Sequence, residues 1–443
     1  MFQGTPKKIV LMMAILLPWS RSASSEPSAP LSQEMSLKDA IERSQETFAR
    51  SRIQRADRDA QVEKVRGSWA DLGPRVKLDY TLSQFEKEMA SQQAGVKVVG
   101  RPEVLKLGSM TIAQPITGLG ALTKKALFEE AVLEMKQDGY LMSKTEGAFI
   151  AADQWLTTFQ NDQLVQIAQS SIKAVEQQLR DAVAMERVGR LNRGDVLKLE
   201  LAVSEAKMRL TRNLSARSTA MASLSEILGL SPQTVIKLPS ELPKLELVEE
   251  SLEKSWEIAR GQRLDTKVSR GRVELAEFGK SLVYSQFSPQ VNLFMKAERN
   301  FGEPFAQYPS RITRSYGVTV SWDIWNNGAQ VFALREALDL VVKAEEEAKA
   351  DESKAMIEVQ NMLNGLKSAQ EALEEALVAV RLADEAFRIE SIRFKTGARS
   401  ATDLIMAESS HAQAKGRLIT AQVDLAKNYF KYQKSIGYSA PKI

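Results

Sequence analysis

The stretch Arg393-Phe394-Lys395-Thr396-Gly397-Ala398-Arg399-Ser400-Ala401-Thr402-Asp403 interrupts an interval, 310–440, that contains no proline. A second proline-free interval, 116–231, is interrupted by Arg187-Val188-Gly189-Arg190-Leu191-Asn192-Arg193-Gly194-Asp195. Proline removes a backbone donor and clashes with the preceding turn, so very long helices fit only in such intervals. Both are rich in Ala, Leu, Glu, Lys, Gln and Arg, the good helix formers. Glycine tolerates the left-handed conformation that ends a helix, and Thr or Asp starts the next one as N-cap. Each interval therefore predicts two antiparallel helices that meet at a tip.

Working outward, Leu366, Leu373, Val380, Phe387 and Phe394 recur every seven residues in the second interval. Phe128, Met135, Met142, Phe149 and Leu156 do so in the first, followed in another register by Val165, Ile172 and Leu179. A seven-residue repeat keeps one seam against a neighbouring helix, as in a coiled coil, although a bundle core leaves the same mark. Length favours the coiled coil: about 65 residues per arm reach roughly 100 Å at 1.5 Å per residue, more than most compact domains hold.

Sliding the chain by 208 residues superposes the two turns without a gap. Gly189 falls on Gly397, Asp195 on Asp403, Glu200 on Glu408, Ala206-Lys207 on Ala414-Lys415 and Gly229 on Gly437. A shift of 215 brings Ser36-Leu37 onto Ser251-Leu252 and Pro74 onto Pro289, so the first copy carries seven extra residues between about 75 and 110. Long collinear register of this kind indicates duplication. The expected organisation is a secretory signal over 1–25, repeat one over 26–230, a linker over 231–250, repeat two over 251–437 and a tail over 438–443. Each repeat should read short helix, strand hairpin, long helical hairpin.

Before each long hairpin the period falls to two. Val76, Leu78, Tyr80 and Leu82 alternate with polar residues, as do Tyr316, Val318, Val320, Trp322 and Ile324. Such alternation predicts half-buried strands, with weaker partners over 107–116 and 290–298. Nine of the 29 aromatic residues lie within 284–325. Girdles at a membrane interface would concentrate them so, and so would the core of a soluble sandwich. Strands cross lipid only as a closed barrel, and four cannot close one. If these strands are transmembrane, about three chains must share a barrel of about twelve.

Composition removes several classes of function. The 443 residues include no cysteine and one histidine, His411. Disulfides, thiolate chemistry and two-histidine metal motifs are excluded, and a histidine base is improbable. Lys7 and Lys8 before the apolar run Ile9 to Leu17, then small residues, read as an export signal. Removing 1–22 takes Lys7, Lys8 and Arg21 from a formal charge of +4 and leaves +1, so charge gives no footprint for nucleic acid. No cofactor motif and no enzyme constellation emerge. Gly118-Leu119-Gly120 lacks a third glycine at phosphate-loop spacing. Arg50, Arg52, Arg55 and Arg58, the run Lys343 to Glu352, and His411 read as solvated helix surface.

Signal, helix, strand hairpin and long helical hairpin, all doubled, resemble the TolC-like outer-membrane efflux protein family. The two glycine turns, the downstream E-x-x-x-x-x-A-K-x-R-L stretches and Trp325-Asn326-Asn327-Gly328 carry the resemblance. It implies a mainly α chain whose hairpins form a periplasmic α-barrel and whose four strands join a shared twelve-strand β-barrel in a homotrimer. It implies an outer-membrane export conduit of a tripartite efflux or type I secretion system, docked on a periplasmic adaptor and an inner-membrane pump. It places Asp403 at the constriction and pairs Arg399 with Asp195 of a neighbouring protomer. Phe394 stands where the family has a latch tyrosine, and Met406 where it has a second constricting aspartate. Gly189, Arg190, Leu191, Gly397 and Ala398 become the adaptor-docking tips. N-capping is the plainer role for Asp195 and Asp403. A soluble periplasmic coiled-coil scaffold or pump adaptor is the alternative for the whole chain.

Overall fold

A computed structural model describes residues 33–443 apart from 117–118, 232–233, 235, 246–250, 397 and 399. The expected signal, Gly118, Gly397 and Arg399 lie outside the described residues. The chain begins with a short strand β1 (Gln33–Glu34), helices α1 (Leu37–Thr47) and α2 (Ala49–Ala70), and strand β2 (Arg75–Gln84). A small hairpin follows, β3 (Met89–Gln93) and β4 (Val96–Arg101), then β5 (Val104–Pro115) and the long pair α3 (Leu119–Arg187) and α4 (Arg193–Ile227). After β6 (Ile236–Lys237) the order recurs: α5 (Leu252–Gln262), α6 (Leu264–Ser285), β7 (Gln290–Asn300), β8 (Ile312–Ser321), α7 (Ala329–Lys395) and α8 (Ala401–Ser435).

The elements repeat at the shifts read from the sequence. Both ends of α1 and α2 recur 215 residues later in α5 and α6, and both ends of α4 recur 208 later in α8. Each copy opens with two helices rather than one short one. Ser36 starts α1 with a capping box, its hydroxyl accepting from the Asp39 amide at 3.1 Å and the Asp39 carboxylate accepting from the Ser36 amide at 3.2 Å. The break comes at Phe48, whose ring lies against Gly147 of α3 so closely that a Cβ there would sit 3.0 Å away. In the second copy the break falls on Arg263, which is buried and donates to Asp265, to Glu358 and to the Ser435 carbonyl at 2.7 Å.

α3 has 69 residues, a length of about 100 Å, and α7 has 67. Their mid-lengths join α1, α8 and the linker in the main apolar core. Trp155 stacks on Phe159 at 5.7 Å and donates to the Met35 carbonyl at 3.0 Å. Leu366, Val423, Tyr429 and Phe430 close around them. No described helix is long and apolar enough to cross a membrane.

One antiparallel sheet holds the strands in the order β2-β5-β7-β8, while β3 and β4 pair only with each other. β8 ends at Ser321, earlier than the alternation to Ile324 suggests. Both outer strands, β2 and β8, keep one open edge among the described residues. The register runs Val76↔Ile112↔Met295↔Tyr316, so the alternating apolar residues of β2 and β8 share one face with Met110, Ile112, Leu293 and Met295. That face is exposed: Leu78, Tyr80, Met295, Tyr316, Val318 and Val320 all stand free of the chain's own core. The opposite face is mainly polar, with Leu105, Leu107 and Phe294 among its residues, and carries ion pairs Lys77–Asp79 at 2.8 Å and Lys296–Glu298 at 2.9 Å. A soluble sheet turns its apolar face inward, whereas this one turns it outward, as a wall against hydrocarbon requires.

Candidate functional site

The far ends of the two long hairpins come together in space. Gly189 ends α3 with φ +73°, its amide bonding to the Glu186 carbonyl at 2.9 Å while the Arg190 amide reaches the Met185 carbonyl at 2.9 Å. These two bonds form a Schellman motif, which glycine favours because it enters the left-handed region without a Cβ penalty. In the second copy the Ala398 amide reaches the Arg393 carbonyl at 2.9 Å, the same five-residue reach 208 positions on.

The next helices start on Asn192 and Ser400, not on the aspartates. The Asn192 side-chain oxygen accepts from the Asp195 amide at 2.8 Å, and the Ser400 hydroxyl accepts from the Asp403 amide at 3.3 Å. Asp195 and Asp403 therefore occupy the third helical position, where a carboxylate complements the amide end of the helix dipole. The Ser400 hydroxyl also donates to the Asp403 carboxylate at 2.9 Å. The expected aspartate caps are corrected to caps three residues earlier, an S/N-x-x-D spacing visible in the sequence.

Asp195 is buried at 8% exposure, and its described charged partner is Lys198 at 3.3 Å. The same Lys198 ammonium donates to the Thr402 hydroxyl at 3.2 Å, tying the start of α4 to the start of α8. Sequence reasoning missed this bridge because Lys198 and Thr402 lie 204 residues apart. Arg190 and Ala398 are exposed at the tip, and Leu191 is half-buried against it. Phe394 does not project outward: it is 2% exposed and packs with Ala182, Val196, Leu199, Ala401 and Leu404. This apolar plug binds both hairpins into one tip. Met406 is exposed one turn beyond Asp403.

About two turns into α8 lies a second polar cluster. Glu408 is 3% exposed and accepts a 2.5 Å bond from Ser171 of α3. Burial pushes its carboxyl above the ordinary glutamate value, against the pull of Ser171 and of the charges on Arg209 and His411. His411 is corrected from a solvated surface residue to a largely covered one, bonded to Asp384 and stacked on Phe387 at 5.1 Å. Both partners come from α7, so its own helix gives no sign of them.

Residues 257–437 match the family described as outer membrane efflux protein. No protein of curated function matches the chain. Its fold is similar to the outer membrane protein VceC of Vibrio cholerae, at 15% identity over 90% of this chain and 96% of that one, TM-score 0.75. It is also similar to the CmeC outer membrane channel of Campylobacter jejuni, at 11% identity over 90% and 85%, TM-score 0.78. The open-state MtrE outer membrane channel of Neisseria gonorrhoeae shares 16% identity over 90% and 88%, TM-score 0.74. The family match thus falls on the second copy, and the fold of the whole chain is that of these outer-membrane channels.

Proposed function

We propose that three copies of this chain form an outer-membrane export channel that conducts passively from periplasm to exterior and closes at its helix tips. The observation that carries the reading is the sheet: four strands with two open edges and an exposed apolar face cannot rest in water as they stand. Pairing β8 of one copy with β2 of the next satisfies both edges, and three copies give a barrel of about twelve strands. The polar face with its ion pairs then lines the lumen. A soluble scaffold or adaptor would bury Tyr80, Tyr316, Trp322 and Trp325, and all four are exposed.

In this reading Asp403 from each copy forms a ring of carboxylates that attracts cations, with Arg399 and Asp195 latching neighbouring protomers. Lys198 competes for Asp195 within one chain, and Phe394 holds the tip by packing. Gly189, Arg190, Leu191, Gly397 and Ala398 dock the hairpin of a periplasmic adaptor, which couples the conduit to an inner-membrane pump. The chain acts as a conduit and not as an enzyme. Fractionation tests the reading first: the protein should sediment with outer membranes and run as a detergent-stable trimer. Recovery as a soluble monomer overturns it. In planar bilayers, Asp403→Ala and Arg399→Ala should raise conductance or alter cation selectivity. Traces identical to wild type remove these residues from the gate.

A further inference from the structure

The outward face of the sheet gathers three cations. Along β2, β5, β7 and β8 that face is charged at only three positions, Lys106, Arg299 and Arg314, and it bears no carboxylate. The register gathers them. The Phe301 amide bonds to the Lys106 carbonyl at 2.8 Å, Arg299 lies two residues before Phe301, and Arg314 pairs with Ala297, two residues before Arg299. Neighbouring cations are thus diagonal across adjacent strands, roughly 7–8 Å apart at the backbone.

All three lie toward the end of the sheet remote from α3 and α7, where the strands are joined by hairpins. The lumen face treats its charges differently, matching each of Lys77 and Lys296 with a carboxylate. None of Lys106, Arg299 and Arg314 forms a salt bridge among the described residues. Closing the barrel adds no acid either, since β2 brings only Val76, Leu78, Tyr80, Leu82 and Gln84 to that face. Beside the cations is an aromatic collar. Phe301 lies over Gly108, where a Cβ would meet its ring at 2.9 Å, with Tyr80 at 5.9 Å and the Arg299 guanidinium over the ring at 5.0 Å. Aromatic rings of this kind mark the level of lipid headgroups.

Unpaired cations at headgroup depth, facing lipid and stripped of internal counter-ions, select an anion from outside the protein. The geometry points to a binding site for a phosphate-bearing lipid of the outer leaflet, its phosphates bridging Lys106, Arg299 and Arg314 while its acyl chains lie on the band from Leu78 to Val318. The inference rests on the outer-membrane channel reading.

The test uses the purified full-length protein, reconstituted and titrated with lipid A or with chemically dephosphorylated lipid A, bound lipid being counted by native mass spectrometry. Wild type should prefer the phosphorylated form, and each of Lys106→Gln, Arg299→Gln and Arg314→Gln should weaken that form about fivefold. The charge-preserving set Lys106→Arg, Arg299→Lys and Arg314→Lys should keep the preference, which guards against loss through misfolding. Wild type that conducts in planar bilayers yet binds both lipid forms alike overturns the site and leaves the channel standing. Displacement of lipid A by inorganic phosphate at equal concentration assigns the site to free phosphate and overturns the lipid assignment. Wild type that never enters bilayers overturns the channel and the lipid site together.

Discussion

Replacing Phe394 with alanine should loosen the tips while leaving the mid-length core intact. An aromatic side chain buries about 150–250 Å², and at about 25 cal/mol per Å² that sets an upper bound of about 4–6 kcal/mol. Core phenylalanine truncations cost about 3–5 kcal/mol once the residual cavity is included. Taking about 4 kcal/mol, and about 1.4 kcal/mol per factor of ten, local opening becomes several hundred-fold more frequent. The plug holds helix ends, with the waist around Trp155 and Val423 packed separately, so the effect should stay local. Hydrogen exchange followed by mass spectrometry on the intact oligomer reads it directly. Segments 180–204 and 390–410 should lose protection while segments around 150–160 and 420–432 keep theirs. Phe394→Leu should fall between, and Phe394→Tyr should also destabilise, by about 1–3 kcal/mol, because its hydroxyl enters an apolar cluster. Tip exchange altered less than about threefold by the alanine variant would show that the cluster does not hold the hairpins together.

Glu408→Gln should raise the melting temperature at neutral pH. Burial lifts the carboxyl of Glu408, so the folded protein keeps this proton to a higher pH than the unfolded chain does, and stability falls as pH rises between the two values. The advantage of the glutamine should shrink as pH falls toward about 4.3, and a gap independent of pH refutes the burial argument. Gly437→Ala should destabilise far more than Gly189→Ala. Both have positive φ, +94° and +73°, but a Cβ at Gly437 would lie 2.8 Å from the Arg263 amide nitrogen while nothing lies within 4 Å at Gly189. The left-handed conformation alone costs about 1–2 kcal/mol, so equal melting temperatures for the two variants would contradict the close approach. Arg263→Met should cost about 1–2 kcal/mol, because the half-exposed Asp265 and Glu358 carboxylates regain water while the Ser435 carbonyl loses its donor, and an unchanged melting temperature would count against the Arg263 anchor.

Much of this architecture is legible because it rests on long-range periodicity. Two proline-free intervals fix where the 69- and 67-residue helices fit, and the shifts of 208 and 215 recur in the helix bounds. Local chemistry reads less well where two structures share one pattern. Alternation in Val76-Leu78-Tyr80-Leu82 is the same for a sandwich core and for a lipid-facing wall, and only the register with β5 and the exposure of both decide. The seven-residue seam also overstates burial: Phe149 and Leu156 are buried but Met142 is exposed, because 3.6 residues per turn drifts from a strict heptad. The paired opening helices go unread because α2 is dominated by charge. Glu408 and His411 are misjudged or passed over because their partners, Ser171, Asp384 and Phe387, come from other helices.

The duplication copied the backbone and then let several side chains part at the tips. Phe394, the apolar plug, stands 208 residues after Glu186, which forms a 3.7 Å ion pair with Arg193. Glu408, buried against Ser171, stands 208 after Glu200, which is exposed and 3.7 Å from the same Arg193. Ala401, fully buried, stands 208 after Arg193 itself. The first copy therefore meets water at its tip with a chain of screened charges, while the second copy meets the first with an apolar seam. Screened surface pairs contribute at most about 1 kcal/mol, and a buried aromatic several times that. Any movement that separates the hairpins must break the seam around Phe394, so most of the energy that resists opening resides in the apolar contact the two copies share, Ala182, Val196 and Leu199 against Phe394, Ala401 and Leu404.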